Sequence, residues 1–292
     1  MKPTVDSVLS DLVALGVRQG DVIFVTADLI QVGLFFKNRK ETERAWVSLL
    51  NQAVGDEGTI IVAAYTPTFF RFKKNARIVF SPQVASTSGS LSNAFLRDPR
   101  SKRSRHPTNS CVAIGRNAEE ILIGHDQNSQ TYSVLGEIVR RGGKHLMLGT
   151  LDRKNAPLGL HYAQELLGIT KTEPSVGMFQ SYYLDESGQR QLFTKWNTGG
   201  CSGGGYKLFG HLIVEDAISL GNVGQCKGAL IDAKKSTEIA CTALSTNKSA
   251  FICDDTSCLS CRGRWTVSGI NTPYLYFKYV LWRLFRYLSL LN

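Results

Sequence analysis

Short runs of consecutive apolar residues alternate along this chain with segments whose apolar positions recur every three or four residues. The runs are VIFV at 22–25, TIIVAAY at 59–65, CVAIG at 111–115 and HLMLGT at 145–150. A strand covered on both faces shows no polar side to solvent, so it reads as an unbroken apolar stretch. Turn-forming residues precede three of them: Gln19-Gly20-Asp21, Gly55-Asp56-Glu57-Gly58 and Gly142-Gly143. Helical periodicity falls at 4–15, 41–53, 88–97, 117–123, 133–141 and 157–167. Strand and helix in alternation predict a layered α/β domain with a largely buried central sheet.

From about residue 170 the pattern changes. FQSYYLD (179–185) and RQLFTKW (190–196) flank Glu186-Ser187-Gly188-Gln189, which predicts a β-hairpin. NTGGCSGGGY (197–206) follows; it carries neither a Walker lysine nor a dinucleotide spacing, and reads as a flexible connector rather than a phosphate cradle. Helical patterns return at 207–219 and 234–247. With no linker-like break, one elaborated domain is expected over 1–250, containing a hairpin insertion at about 170–206. A Cys-containing segment and amphipathic tail occupy 251–292.

Composition narrows the chemistry. The net charge of +10, from 34 basic and 24 acidic residues, favours anionic ligands. Asp6 and Asp11 interrupt the apolar row of the first segment, which therefore reads as an amphipathic helix and not a signal peptide. Seven cysteines without regular spacing suit reduced thiols in the cytoplasm.

Several segments, in order and at matching spacing over roughly 4–240, carry a family resemblance. They are GDVIFVTADL (20–29), VGDEGTIIVAAYT (54–66), SGSLSNAFLRDP (88–99), RSRHPTNSCVAIG (103–115), SVLGEIVRRGGKHLMLGT (133–150) and LHYAQ (160–164). Together they resemble the aminoglycoside 3-N-acetyltransferases, the antibiotic N-acetyltransferase family. The resemblance implies a three-layer α/β/α fold and direct transfer of acetyl from acetyl-CoA to an amine, with no metal required.

Such a transfer needs a proton acceptor for the amine and donors for the thioester oxygen. The family's H-x-A-E motif places the base at His161. RSRHPTNS resembles the family's R-S-x-H-P-x-x-S motif, which lies beside the pantetheine arm. That implies Ser104 and Ser110 as donors to its amides, Arg103 as partner of a phosphate, and His106 in support. The loop Thr26-Ala27-Asp28-Leu29 is likewise placed beside CoA. A lone histidine at a helix edge is, without the resemblance, a structural residue; His125, His145 and His211 are read that way.

Three positions depart from the family pattern. Thr26-Ala27-Asp28-Leu29 replaces H-S-S-L, Asn93 replaces a glutamate, and Gln164 replaces the glutamate of H-x-A-E, with Glu165 one residue on. Asn93 and Gln164 are then expected to orient His161, with Glu165 or Glu137 as substitutes. Two acids turned into amides, in a chain at +10, are poorly matched to a polycationic aminoglycoside. They point to the single amine of an amino sugar, nucleotide-linked, in surface-polysaccharide biosynthesis. The alternative is aminoglycoside 3-N-acetylation conferring antibiotic resistance.

Cys253, Cys258 and Cys261 have a spacing that suits zinc, but a structural site needs a fourth ligand, for which Cys226 or Cys241 are candidates. Unliganded thiols are the plainer reading. The tail 272–292 is aromatic and basic, with Lys278, Arg283 and Arg286 on one side of a helical projection. It is expected to pack on its own domain or a second subunit as a homodimer, or to lie on the inner membrane surface. A basic nucleic-acid-binding module with a zinc site is the remaining alternative; dispersed Lys and Arg speak against nucleic acid.

Overall fold

The computed structural model describes residues 2–152, 155–172, 177–197, 201–256, 258 and 261, with Phe277, Val280 and Leu281 in the tail. The expectations for the remainder of the tail, including Lys278, Arg283 and Arg286, lie outside the described residues.

Eleven strands are present among the described residues: β1 (Val22–Ala27), β2 (Thr59–Ala63), β3 (Phe69–Phe70), β4 (Val79–Phe80), β5 (Lys102–Arg103), β6 (Cys111–Gly115), β7 (Lys144–Leu148), β8 (Phe179–Leu184), β9 (Arg190–Thr194), β10 (Ile218–Val223) and β11 (Cys226–Asp232). The helices are α1 (Val5–Leu15), α2 (Leu29–Val32), α3 (Arg39–Val54), α4 (Ser90–Arg97), α5 (Ala118–Leu122), α6 (Ser133–Arg140), α7 (Leu158–Leu166), α8 (Leu208–Val214) and α9 (Ala233–Thr246).

The main sheet has the order β10-β11-β7-β1-β2-β6-β5. Its centre, β7-β1-β2, is parallel, and antiparallel strands extend it on both sides. Alternation along the central strands divides the apolar side chains between two layers. Ile23, Val25, Ile60, Val62, Leu146 and Leu148 face α1, α3 and α4, where Trp46, Leu50 and Phe95 are fully buried. Phe24 and Ile61 face α5 and α6, and Met147 faces α7, α8 and α9. This is the expected three-layer α/β/α arrangement.

Local signals fix the ends of the elements. Thr4 and Ser7 form a reciprocal cap on α1, and Gly16, at φ 114°, closes it in a conformation that favours glycine. The expected hairpin is β8–β9, whose turn is held by Asp185 Oδ1 accepting from the N–H groups of Ser187 and Gln189. It belongs to a small second sheet in which β3 and β4 also border β8.

Two readings are corrected. The helix read through 207–219 ends at Val214, and β10 begins at Ile218. β10 and β11 form a hairpin closed by Gly224-Gln225, and β11 extends the main sheet beside β7. Ala229, Leu230 and Ile231 are buried there. Their apolar run is short, and the exposed partner strand has little hydrophobic pattern, so burial against β7 decides their state. The Gly-rich connector read over 197–206 is the second, for its described part; residues 198–200 lie outside the described residues. Residues 202–207 form a 3₁₀ helix packed into the protein, and a Cβ at Gly204 would lie 2.0 Å from the Phe251 carbonyl oxygen. Gly204 and Gly205 thus admit neighbouring protein chain rather than a ligand.

Candidate active site

A cleft of about 300 Å³ opens where the C-terminal ends of β1 and β2 meet α4, α6 and the start of α7. In open α/β sheets this end of the parallel strands is where ligands bind. Thr26 and Ala27 line it from β1, Ser92 from α4, Tyr132 at the head of α6, and His161 from α7.

His161 sits in the second turn of α7. Its Nδ1 is 3.0 Å from Gln164 Oε1, and its Nε2 is 2.9 Å from Ser202 Oγ. An amide oxygen only accepts, so Nδ1 carries the hydrogen and Nε2 presents its lone pair to the Ser202 hydroxyl. The Tyr132 ring stacks on the imidazole at 5.6 Å between centroids. Ser202 was not anticipated; the only sequence signal was its position inside CSGGG. His161 and Thr26 both line the cleft, and Gln164 bonds His161 from the same helix.

His145 builds the floor beneath them. It is buried; its Nδ1 accepts from the Leu158 N–H, which opens α7, and its Nε2 donates to Thr26 Oγ1, both at 3.0 Å. Burial pushes its pKa down to about 3, so the ring is neutral near pH 7 and keeps both bonds. It joins β1 to the helix that carries His161.

Other anticipated residues lie elsewhere. Asn93 does not orient His161: its side chain accepts from the Ser86 N–H and donates to the Ser86 and Gly89 carbonyls. Glu165 is buried, accepting from the Tyr132 N–H and from Asn197 Nδ2, and Glu137 pairs with Arg140. Asp28 caps α2 by accepting from the N–H groups of Ile30 and Gln31, and Leu29 is buried.

The segment expected beside the pantetheine arm is engaged internally. The Arg103 guanidinium donates to the carbonyls of Ala64, Pro82 and Val84 and to Ser110 Oγ, and lies over the Phe80 ring. Burial lowers its pKa to about 10. Ser110 Oγ donates to the Ala64 carbonyl, and Ser104 Oγ accepts from the Cys111 N–H while donating to His125 Nδ1. His106 Nδ1 accepts from the Asn109 and Thr108 N–H groups, and its ring stacks on His125 at 4.8 Å. All four side chains brace the loop between β5 and β6 and the turn above β2. The motif's polar residues satisfy backbone groups that a buried irregular segment would otherwise leave unpaired.

Cys253, Cys258 and Cys261 come together with Cys201, and all four sulfurs lie within 4.8 Å of one another. The fourth position is Cys201; Cys226 and Cys241 lie apart from the group. Among the described residues no helix is long and apolar enough to cross a membrane.

A family model described as aminoglycoside 3-N-acetyltransferase matches residues 24–245. The chain belongs to this family. Aminoglycoside N(3)-acetyltransferase III of Serratia marcescens is 36% identical over 183 residues, which cover 57% of this chain and 65% of that protein. The matched part thus spans about two thirds or less of the curated relatives' length. Aminoglycoside N(3)-acetyltransferase VII of Streptomyces paromomycinus is 28% identical over 177 residues, 53% of this chain and 58% of that one. Among solved structures, aminoglycoside acetyltransferase AAC(3)-IIb superposes with TM-score 0.68 at 26% identity, covering 84% of this chain and 98% of that one. AAC(3)-IVa shares the fold at TM-score 0.74 and 19% identity, covering 91% and 98%.

The family members compared in this way are named for aminoglycosides, which overturns the expectation of a nucleotide-linked amino sugar for polysaccharide synthesis. Two physical errors underlie it. Net charge is a sum without position: Arg262, Arg264, Lys278, Arg283 and Arg286, with no acid between 262 and 292, supply half of the +10. Asn93, counted as a lost pocket acid, belongs to a loop brace and does not line the cleft.

Proposed function

We propose that the chain is an acetyl-CoA-dependent aminoglycoside N-acetyltransferase, with His161 as the base. The observation that carries this reading is the orientation of His161 in the cleft: Gln164 holds the hydrogen on Nδ1, which leaves Nε2 as the acceptor. A solved relative, AAC-IIIb, is described as a binary complex with CoASH, and another, AAC-VIa, as bound to sisomicin. These support acetyl-CoA as co-substrate and an aminoglycoside as acceptor.

The chemistry follows from the site. The amine nitrogen attacks the thioester carbonyl carbon and must shed a proton as the bond forms. Ser202 donates to Nε2 and keeps lone pairs of its own, so it can pass the amine's proton to the imidazole. The carbon–sulfur bond then breaks, CoA leaves as a thiolate, and the imidazolium returns the proton. Gln164 replaces the usual carboxylate and fixes the tautomer without adding charge.

The test is CoA release from acetyl-CoA with sisomicin and gentamicin as acceptors, together with resistance conferred on a susceptible host. His161→Ala should lower kcat by roughly 10²–10⁴-fold. Wild-type turnover in that variant removes His161 from the mechanism, and failure to acetylate either aminoglycoside refutes the substrate class.

A further inference from the structure

The four cysteines outside the cleft are unused by the transfer chemistry, yet they are the densest group of soft donors among the described residues. Their sulfurs come from two pieces of chain, the loop at Cys201 and the segment 253–261. A tetrahedral zinc thiolate site, with Zn–S near 2.3 Å, has sulfur–sulfur edges of about 3.8 Å. Four sulfurs mutually within 4.8 Å match one ion at their centre. A four-iron cluster would hold its thiolates farther apart, because an iron–sulfide cube separates them. Backbone N–H groups already point at two of the sulfurs: Gly203 donates to Cys201 Sγ and Cys253 to Cys261 Sγ, each at 3.3 Å. Such donors stabilise thiolates around a metal.

The pieces of chain are fitted to each other beyond the sulfurs. Lys207 Nζ donates to the Ile252 carbonyl at 2.7 Å and the Tyr206 hydroxyl to Asp254 Oδ2 at 2.5 Å. Gly204 passes against the Phe251 carbonyl, and Gly205 against Ala156, where a Cβ would come within 2.5 Å. Asn155, Ala156 and Pro157 line the cleft. The residue immediately after Cys201 is Ser202, whose hydroxyl bonds His161 Nε2.

We propose that Cys201, Cys253, Cys258 and Cys261 bind one zinc ion in a closed structural site, and that this clasp holds the Ser202 hydroxyl on His161. Binding deprotonates the thiols and releases their protons to solvent, with no redox change. The metal ties the Cys201 end of this glycine-rich stretch to the segment that already meets Tyr206 and Lys207. The absence of a metal requirement expected from the family concerns the transfer chemistry; this ion is a positioning device one residue away. Its metal half stands independently of the proposed function, and its positioning half rests on it.

The test begins with the full-length protein purified without chelator. Elemental analysis should find about one zinc per chain. Cobalt exchange should give the intense visible absorption of tetrahedral cobalt thiolate. Cys201→Ser and Cys261→Ser should lose the metal, whereas Cys226→Ser and Cys241→Ser should keep it. Less than a tenth of an equivalent of zinc with four titratable thiols, iron in place of zinc, or disulfides among these cysteines would each overturn the metal site.

The positioning half is tested by acetyl transfer. Ser202→Ala should retain its zinc and lose at least 10-fold in kcat with KM for acetyl-CoA little changed. Stripping zinc from the wild type with a mercurial and chelator should produce a similar loss, reversed by thiol reductant and zinc. Stripping zinc from Ser202→Ala should cost little more, because the serine is the point through which the clasp acts. Full kcat in the stripped wild type, or an equal further loss in the variant, would overturn the clasp and leave the ion. An active His161→Ala with intact zinc would instead count against the proposed function and the positioning role that rests on it, and leave the metal site standing.

Discussion

Acidification from about pH 6 to pH 5 should destabilise this protein steeply through its buried imidazoles. His106, His125 and His145 are all buried. Burial pushes His145 down to about 3 and His125 to about 4 from an ordinary value of 6.5, and pushes His106 well below it. Each is neutral when folded and takes up a proton when unfolded. The unfolded state therefore binds more protons between the two values, so stability rises with pH across that window and is lost as pH falls from 6.5 towards 4. Near pH 5 His145 and His125 each contribute a slope of about 1.4 kcal/mol per pH unit, so the two give roughly 3 kcal/mol per unit, and His106 adds to it in the same direction. Set against a typical stability of about 5–15 kcal/mol, that is a large part of the total. Urea titrations at closely spaced pH values between 6 and 5 measure the slope directly. His145→Asn should reduce it by about one third to one half, besides lowering stability at every pH. A wild-type slope at or below about 1.4 kcal/mol per unit, the value of a single proton, would refute the account. Lowered carboxylates such as Asp98 act below 3.8 and do not contaminate this window.

Arg103→Met should cost about 2–4 kcal/mol by orphaning the carbonyls of Ala64, Pro82 and Val84, while leaving KM for acetyl-CoA nearly unchanged. A large rise in KM with unchanged stability would instead restore the phosphate role expected from sequence. Asn93→Ala should lower the urea midpoint by an amount corresponding to about 1–3 kcal/mol and spare kcat, because its amide serves Ser86 and Gly89. Gly159→Ala places a Cβ 2.5 Å from Ser236 on α9, so thermal denaturation should show about 1–3 kcal/mol of destabilisation as α7 is pushed away.

The sequence by itself determined most of the layered fold. The runs at 22–25, 59–65, 111–115 and 145–150 became β1, β2, β6 and β7, because strands buried on both faces must be apolar throughout. The helices that open near Thr4, Ser90, Ser133 and Pro157 appeared where their apolar periodicity placed them. Collinear motifs also marked His161 and Gln164, which are three residues apart on one helix and so meet by local geometry alone.

What tertiary structure decided involves partners distant along the chain. β11 is a strand because β7 covers it. Asn93 and Arg103 serve loop backbones that no spacing reveals. The Ser202 hydroxyl reaches His161 across 41 residues, and Cys201 joins a cysteine group more than 50 residues downstream. A sequence fixes which donors and acceptors exist, and local periodicity fixes where a helix or strand turns its faces. Which donor meets which acceptor depends on how the layers close, and in this chain that closure brings Ser202 onto His161.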